Sequence, residues 1–118
     1  MCFPIFYMLI LYAVNVTFFM LNISEFCEIC RDDNVQVVDL RRIDEREKEG
    51  VLDFAKHIPM NVLVEVDLQK ELDLNKKIIF HCKAGGRAAR AAKMLREAGI
   101  ENVDYVRGDF LEIKNTLK

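Results

Sequence analysis

The chain has 118 residues with 17 basic and 19 acidic side chains, a formal net charge of −2, which fits one small domain. That balance excludes the basic surface a nucleic-acid-binding protein needs, and four cysteines fit a reducing compartment in which a thiol persists. Charge is unevenly spread: no charged side chain occurs in residues 1–24, so composition divides the chain into an apolar segment, 1–21, and a mixed domain, 22–118.

Residues 3–23 are apolar apart from Asn15, Thr17 and Asn22, close to the roughly 20 residues that cross a bilayer. Neither a basic n-region nor a small-residue cleavage site marks a secretory signal. Two readings stay open: a membrane anchor, giving membrane association through residues 3–23, or a start-site extension or tail ahead of a natural start at Met20. In the anchor reading Arg31, Arg41 and Arg42 place the remaining domain on the cytoplasmic side.

Ser24, followed by apolar Phe26, Cys27, Ile29 and Cys30, predicts a capped short helix ending near residues 32–34. Cys27-Glu28-Ile29-Cys30 spells C-x-x-C, but no second ligand pair follows, so it is read as helix packing and no metal is expected. Val35-Gln36-Val37-Val38-Asp39 predicts a strand. The charged run Asp44-Glu45-Arg46-Glu47-Lys48-Glu49 predicts a helical turn stopped by Gly50, its charges a solvated face. Residues 52–58 read as a short extended segment limited by Pro59. For residues 62–72 strand and helix periods fit equally, and a short helix is preferred because a crossover must precede the next parallel strand.

Lys77-Ile78-Ile79-Phe80-His81 predicts a buried strand, and Ala88, Ala91, Ala92, Leu95 and Ala98 predict a helix with a small-residue face, ended by Gly99. Asn102-Val103-Asp104-Tyr105-Val106 gives a last strand. After Gly108 a helix presents Phe110, Leu111, Ile113 and Leu117 as its apolar residues, with Lys114 and Asn115 toward solvent. Strands alternating with helices imply parallel βαβ units, hence a small α/β domain.

Between the residue 77–81 strand and the alanine-rich helix lies Cys82-Lys83-Ala84-Gly85-Gly86-Arg87. Gly85 and Gly86 permit dihedrals that let successive backbone N–H groups converge on one spot, and the helix adds its positive end. A free thiol has a pKa of about 8.5, lowered at helix N-termini and by nearby cations, so Cys82 is expected as a nucleophile in an anion cradle. Lys83 and Arg87 are the candidate cations. His81 is read as a strand-end packing residue and His57 as structural.

The loop resembles the active-site loop of the rhodanese sulfurtransferases, often of the form C-x-x-G-x-R. Val37-Val38-Asp39-Leu40-Arg41 resembles that family's strand ending in D-x-R, with Glu45 and Gly50 at its following acidic and glycine positions. Ile58-Pro59, the stretch from Leu95 through Val103, and Gly108 match further family features, so the resemblance covers essentially everything after Ile23. Departures are Gly50-Val51-Leu52-Asp53-Phe54-Ala55, where many members read G-H-I-P-G-A, and Arg107-Gly108-Asp109-Phe110 in place of a G-G pair and a tryptophan.

The resemblance implies a small three-layer rhodanese-like domain, with a central parallel sheet flanked by helices behind the apolar N-terminal segment. It implies transfer of a sulfane sulfur from an anionic donor such as thiosulfate, through a Cys82 persulfide, to a thiol, cyanide or protein acceptor, with no cofactor. Lys83, Ala84, Gly85, Gly86 and Arg87 would bind the donor, Lys83 and Arg87 drawing it in, while Asp39 and Arg41 position the loop. Cysteine phosphatases of the same fold use a loop one residue longer. A phosphatase or arsenate reductase, and a sulfur carrier with little turnover, are the alternative functions.

Overall fold

The computed structural model describes residues 20–118. Cys2 and the apolar run through residue 19, on which most of the anchor reading falls, lie outside the described residues. Among the described residues no helix is long and apolar enough to cross a membrane.

Among the described residues five strands form one sheet: β1 (Met20–Leu21), β2 (Val35–Asp39), β3 (Ala55–His57), β4 (Lys77–His81) and β5 (Val103–Val106). Their spatial order is β1-β5-β4-β2-β3, and every pairing is parallel. The helices are α1 (Ile23–Ile29), α2 (Ile43–Glu49), α3 (Met60–Leu63), α4 (Leu68–Glu71), α5 (Gly86–Glu97) and α6 (Phe110–Thr116). Parallel neighbours require crossovers, and these cover both faces of the sheet, which explains the near-continuous apolar runs in β2 and β4.

Alternation along β4 assigns the two faces. Ile78, Phe80 and Cys82 pack with Val38, Leu63, Leu72 and the Ala88, Ala91, Ala92 and Leu95 stripe of α5. Ile79 faces the other way, with Val37, Val106, Phe26 of α1, and Phe110 and Ile113 of α6. Small side chains on α5 let that helix lie close to the sheet, so the strand end that carries Cys82 and the helix start that follows it are fixed together.

Several local expectations change. The cap of α1 is Asn22, not Ser24: Asn22 Oδ1 accepts the Glu25 N–H at 2.8 Å, and Glu25 answers with a bond to the Asn22 N–H. Residues 60–71 form two four-residue helical turns rather than one helix, the second capped by Asp67. Within 52–58 the strand is confined to Ala55–His57. Ala98 caps the end of α5 and is exposed, so the buried stripe stops at Leu95. Leu111 is 43% exposed, and Lys114 turns back so that its Nζ donates to the Glu49 carbonyl at 3.2 Å.

Candidate active site

Cys82 follows β4 directly and is buried. Its Sγ accepts from the Gly85 N–H at 3.1 Å and from the Ala88 N–H at 3.4 Å. One donor belongs to the turn and the other to the first turn of α5, so the sulfur sits where unpaired helix N–H groups point. Gly85, the residue before α5, has φ of 116°, the conformation that folds the chain back over the sulfur. Gly86 has no positive φ and is the first residue of α5; the expectation that both glycines are needed for unusual dihedrals holds at Gly85 alone.

Both cations of the loop are held by carboxylates. Arg87 donates through its two terminal nitrogens to Glu45, at 2.6 and 2.8 Å, and Glu45 Oε1 also accepts the Arg42 N–H at 2.9 Å. The Arg87 hydrogen bonds hold the Glu45 carboxyl at a pKa of about 2, well below its ordinary value. Lys83 is paired with Glu49, and Asp109 lies 3.2 Å from its Nζ. The bond to Glu49 first, then Asp109, raises the Lys83 pKa. The face of α2 read from sequence as solvated therefore does something else. Glu45 and Glu49, one helical turn apart, reach the two cations of the cysteine loop.

Asp39 and Arg41 form a buried pair beneath this arrangement. Arg41 Nε and Nη2 donate to the two Asp39 oxygens at 3.0 and 2.9 Å, the Arg41 backbone N–H adds a bond at 3.0 Å, and Nη2 reaches the Gly50 carbonyl at 2.8 Å. Burial pushes the Asp39 carboxyl up, and the Arg41 hydrogen bonds with the neighbouring positive charge outweigh it, leaving the pKa below its ordinary value. Arg46 Nε lies 3.3 Å from Asp39 Oδ2, within ion-pair reach but without hydrogen-bond alignment.

The Arg41 guanidinium sits 3.6 Å from the centroid of the Phe110 ring. Phe110 in turn donates its backbone N–H to the Lys83 carbonyl at 2.8 Å. Asp39 and Arg41 thus support the cysteine loop through Gly50 and Phe110 without touching Cys82 Sγ by any hydrogen bond. His81 stacks against the same ring, 5.7 Å between centroids, and is fully buried with neither ring nitrogen hydrogen-bonded. Burial lowers its pKa to about 4. His57 Nε2 is 2.7 Å from the Arg41 carbonyl.

Of the residues expected at the site, Cys82, Gly85 and Arg87 come together, Lys83 turns aside to Glu49, and Ala84 is exposed on the turn. Ala88, Glu49, Asp109 and Phe110 complete the surroundings. Nothing in the residue type marks Ala88, because only its backbone N–H is used. The four-residue spacing of Glu45 and Glu49 was a readable sign of a shared face.

Fold and site define a cysteine-loop α/β domain, with one thiol at the end of a central parallel strand and backbone donors of the next helix directed at it. The family model described as Rhodanese-like domain matches residues 22–116, and the chain belongs to that family. YtwF of Bacillus subtilis (strain 168), provisionally named a sulfurtransferase, is 32% identical over 77 residues, which are 65% of this chain and 72% of that protein. The tRNA uridine(34) hydroxylase of Hamiltonella defensa is 32% identical over 103 residues, 83% of this chain; the chain spans 28% of that protein's length. Among solved structures, SSP1007 from Staphylococcus saprophyticus has a TM-score of 0.67 at 30% identity, covering 80% of this chain and 91% of that one. The single-domain sulfurtransferase RDL2 of Saccharomyces cerevisiae has a TM-score of 0.66 at 20% identity, covering 82% of this chain and 89% of that one, and shows the shared fold.

Proposed function

We propose that the protein is a sulfurtransferase that carries a sulfane sulfur on Cys82. The observation that carries this reading is the pair of N–H groups, from Gly85 and Ala88, directed at Cys82 Sγ. Donors fixed by the turn and by the start of α5 stabilise a negative sulfur without reorganising, and a persulfide keeps that charge close to the same position. YtwF, provisionally named a sulfurtransferase, supports the same chemistry.

In the first step the Cys82 thiolate attacks the outer sulfur of thiosulfate, the S–S bond breaks, sulfite leaves with the electron pair, and Cys82 becomes a persulfide. In the second step a nucleophile, whether cyanide, a thiol or a protein acceptor, attacks the terminal sulfur and the Cys82 thiolate is restored. Atoms and electrons balance with no cofactor. Asp39, Arg41 and Phe110 act by holding the loop.

Intact mass after incubation with thiosulfate tests the reading. A gain of one sulfur, lost in Cys82→Ser, is expected, and thiocyanate release on adding cyanide shows turnover rather than storage. No sulfur gain together with hydrolysis of an aryl phosphate would replace this reading with a phosphatase.

A further inference from the structure

An open cleft of about 570 Å³ lies between the end of α1, the segment joining α2 to β3 and the last turn of α6. That volume falls within the range of small-molecule sites. Its apolar lining includes buried Leu52 and half-buried Phe54 and Leu117. Residues 51–54 fall in the stretch where this sequence departs from the family pattern, and none of them hydrogen-bonds to the cysteine loop. Arg31, Lys114 and Lys118 bring positive charge to this lining. Among the described residues none of the three has a carboxylate within ion-pair distance: Arg31 lies 5.2 Å from the centroid of the Phe54 ring, Lys114 donates to the Glu49 carbonyl at 3.2 Å, and the Lys118 ammonium has no side-chain hydrogen bond. Asp53 is the one acidic side chain of the lining, and with the α-carboxylate of Lys118 counted as well the cations remain in excess. Asp32, beside Arg31 in sequence, accepts the Asn34 N–H at 2.8 Å, and the Glu49 carboxylate pairs with Lys83.

An apolar floor under unpaired cations suits an anion with an apolar body, since each part of such a ligand meets its complement. We infer that the cleft binds small amphipathic carboxylates, the apolar body against Leu52, Phe54 and Leu117 and the carboxylate on Lys114, with Lys118 and Arg31 at the rim. The same lysine connects the cleft to the cysteine loop. Lys114 lies over Gly50, where a Cβ would collide with its Nζ. On the other side of this segment Glu49 pairs with Lys83, and the Gly50 carbonyl accepts Arg41 Nη2 at 2.8 Å. A carboxylate attracts an ammonium more strongly than a neutral carbonyl does, so the bound ligand draws Lys114 off Glu49 and loosens the segment that holds Lys83 and Arg41. This coupling rests on the sulfurtransferase reading, and its result is slower sulfur loading of Cys82 while the cleft is filled.

The experiment titrates naphthoate, and separately its uncharged amide, into the full chain and follows backbone amide shifts by NMR. Naphthoate is expected to bind with a Kd below about 1 mM, shifting Arg31, Phe54 and Leu117, and the amide to bind about tenfold more weakly. Lys114→Met should weaken naphthoate about tenfold. Lys118→Met, which removes a cation that bonds nothing else, should weaken it about threefold and leave loading without naphthoate unchanged. Saturating naphthoate should slow thiosulfate loading of Cys82 about fivefold in the wild type and leave it unchanged in Lys114→Met. Equal affinity for the amide, or shifts confined to residues 83–88, overturns the cleft as a carboxylate site. Binding in the cleft with loading unaffected overturns the coupling through Lys114 and supports the site. No loading of Cys82 in the absence of naphthoate overturns the sulfurtransferase reading, independently of the shifts that report the cleft.

Discussion

Glu45 accepts both terminal nitrogens of Arg87, at 2.6 and 2.8 Å, across a sequence separation of 42 residues. This pair ties α2 to the start of α5 and fixes the end of the cysteine loop. Bidentate charge-assisted bonds at a half-buried position contribute more than an exposed ion pair. Glu45→Gln should therefore lower unfolding stability at pH 7 by about 1–2 kcal/mol, read from urea denaturation. The folded pKa of Glu45 lies at about 2, below its ordinary 4.5. Its contribution is present in full above pH 4.5 and is lost as pH falls toward 2, so wild type and variant should converge across that window. Equal stability at pH 7 would show that the pair contributes nothing.

His81 gives a second pH dependence at a different place. Buried against Phe110 with neither nitrogen hydrogen-bonded, and Nδ1 4.0 Å from Asp39 Oδ1, it titrates at about 4 in the folded chain because burial outweighs that carboxylate, against an ordinary 6.5. Between those values the unfolded chain binds a proton that the folded chain does not, so stability is full above pH 6.5 and falls as pH drops toward 4. At pH 5 the loss is about 2 kcal/mol. His81→Gln, which stays neutral, should remove this part of the acid sensitivity. Parallel losses in variant and wild type between pH 7 and pH 5 would rule out His81 as the source.

The elements legible in the sequence were those whose pattern is local. β2, β4 and β5 follow from short runs of Val, Ile, Phe and Tyr, and α5 from the recurrence of Ala88, Ala91, Ala92 and Leu95. Cys82 stood out because a thiol, two glycines and an arginine occupy one turn. What escaped depends on distant partners. The acidic run 44–49 has the composition of a solvated face, and its meeting with Lys83 and Arg87 is created by the β2–β4 register that sets Asp39 beside His81. The α1 cap is two residues from the one the sequence suggests, because Asn22 lies at the end of an apolar stretch and Ser24 is the clearer local signal. Lys114 has a solvent-facing pattern, because the Glu49 carbonyl it reaches is a backbone group that no side-chain pattern displays.

Phe110 joins three functions in one residue: its ring lies under the Arg41 guanidinium and against His81, and its N–H holds the Lys83 carbonyl. Phe110→Ala should cost about 3–5 kcal/mol in stability, since it removes a fully buried ring and the cation contact together. Phe110→Leu keeps the backbone N–H and most of the packing, so its cost should be smaller. If the ring also fixes the loop through Arg41, sulfur loading of Cys82 should slow in the leucine variant under conditions where it remains folded. Unchanged loading would confine Phe110 to packing.

The two loop glycines separate conformational need from mere smallness. Gly85 has φ of 116°, and a Cβ there would lie 3.4 Å from both the Arg107 Cα and the Val106 carbonyl oxygen, backbone atoms that cannot step aside cheaply. Its N–H is also the shorter of the two bonds to Cys82 Sγ. Gly85→Ala should then cost about 1–3 kcal/mol and turn the N–H away from the sulfur, slowing persulfide formation. Gly86 begins α5 with no positive φ, and a Cβ there meets nothing within 4 Å. Gly86→Ala should instead stabilise by about 0.4–1 kcal/mol, because alanine restricts the unfolded chain at a position whose folded conformation it can adopt. Opposite signs from the same methyl group, measured by urea denaturation, are the expected result. Equal destabilisation at both positions would mean that the loop tolerates no side chain at all, and that the backbone direction at Gly85 is not what places the donor on Cys82.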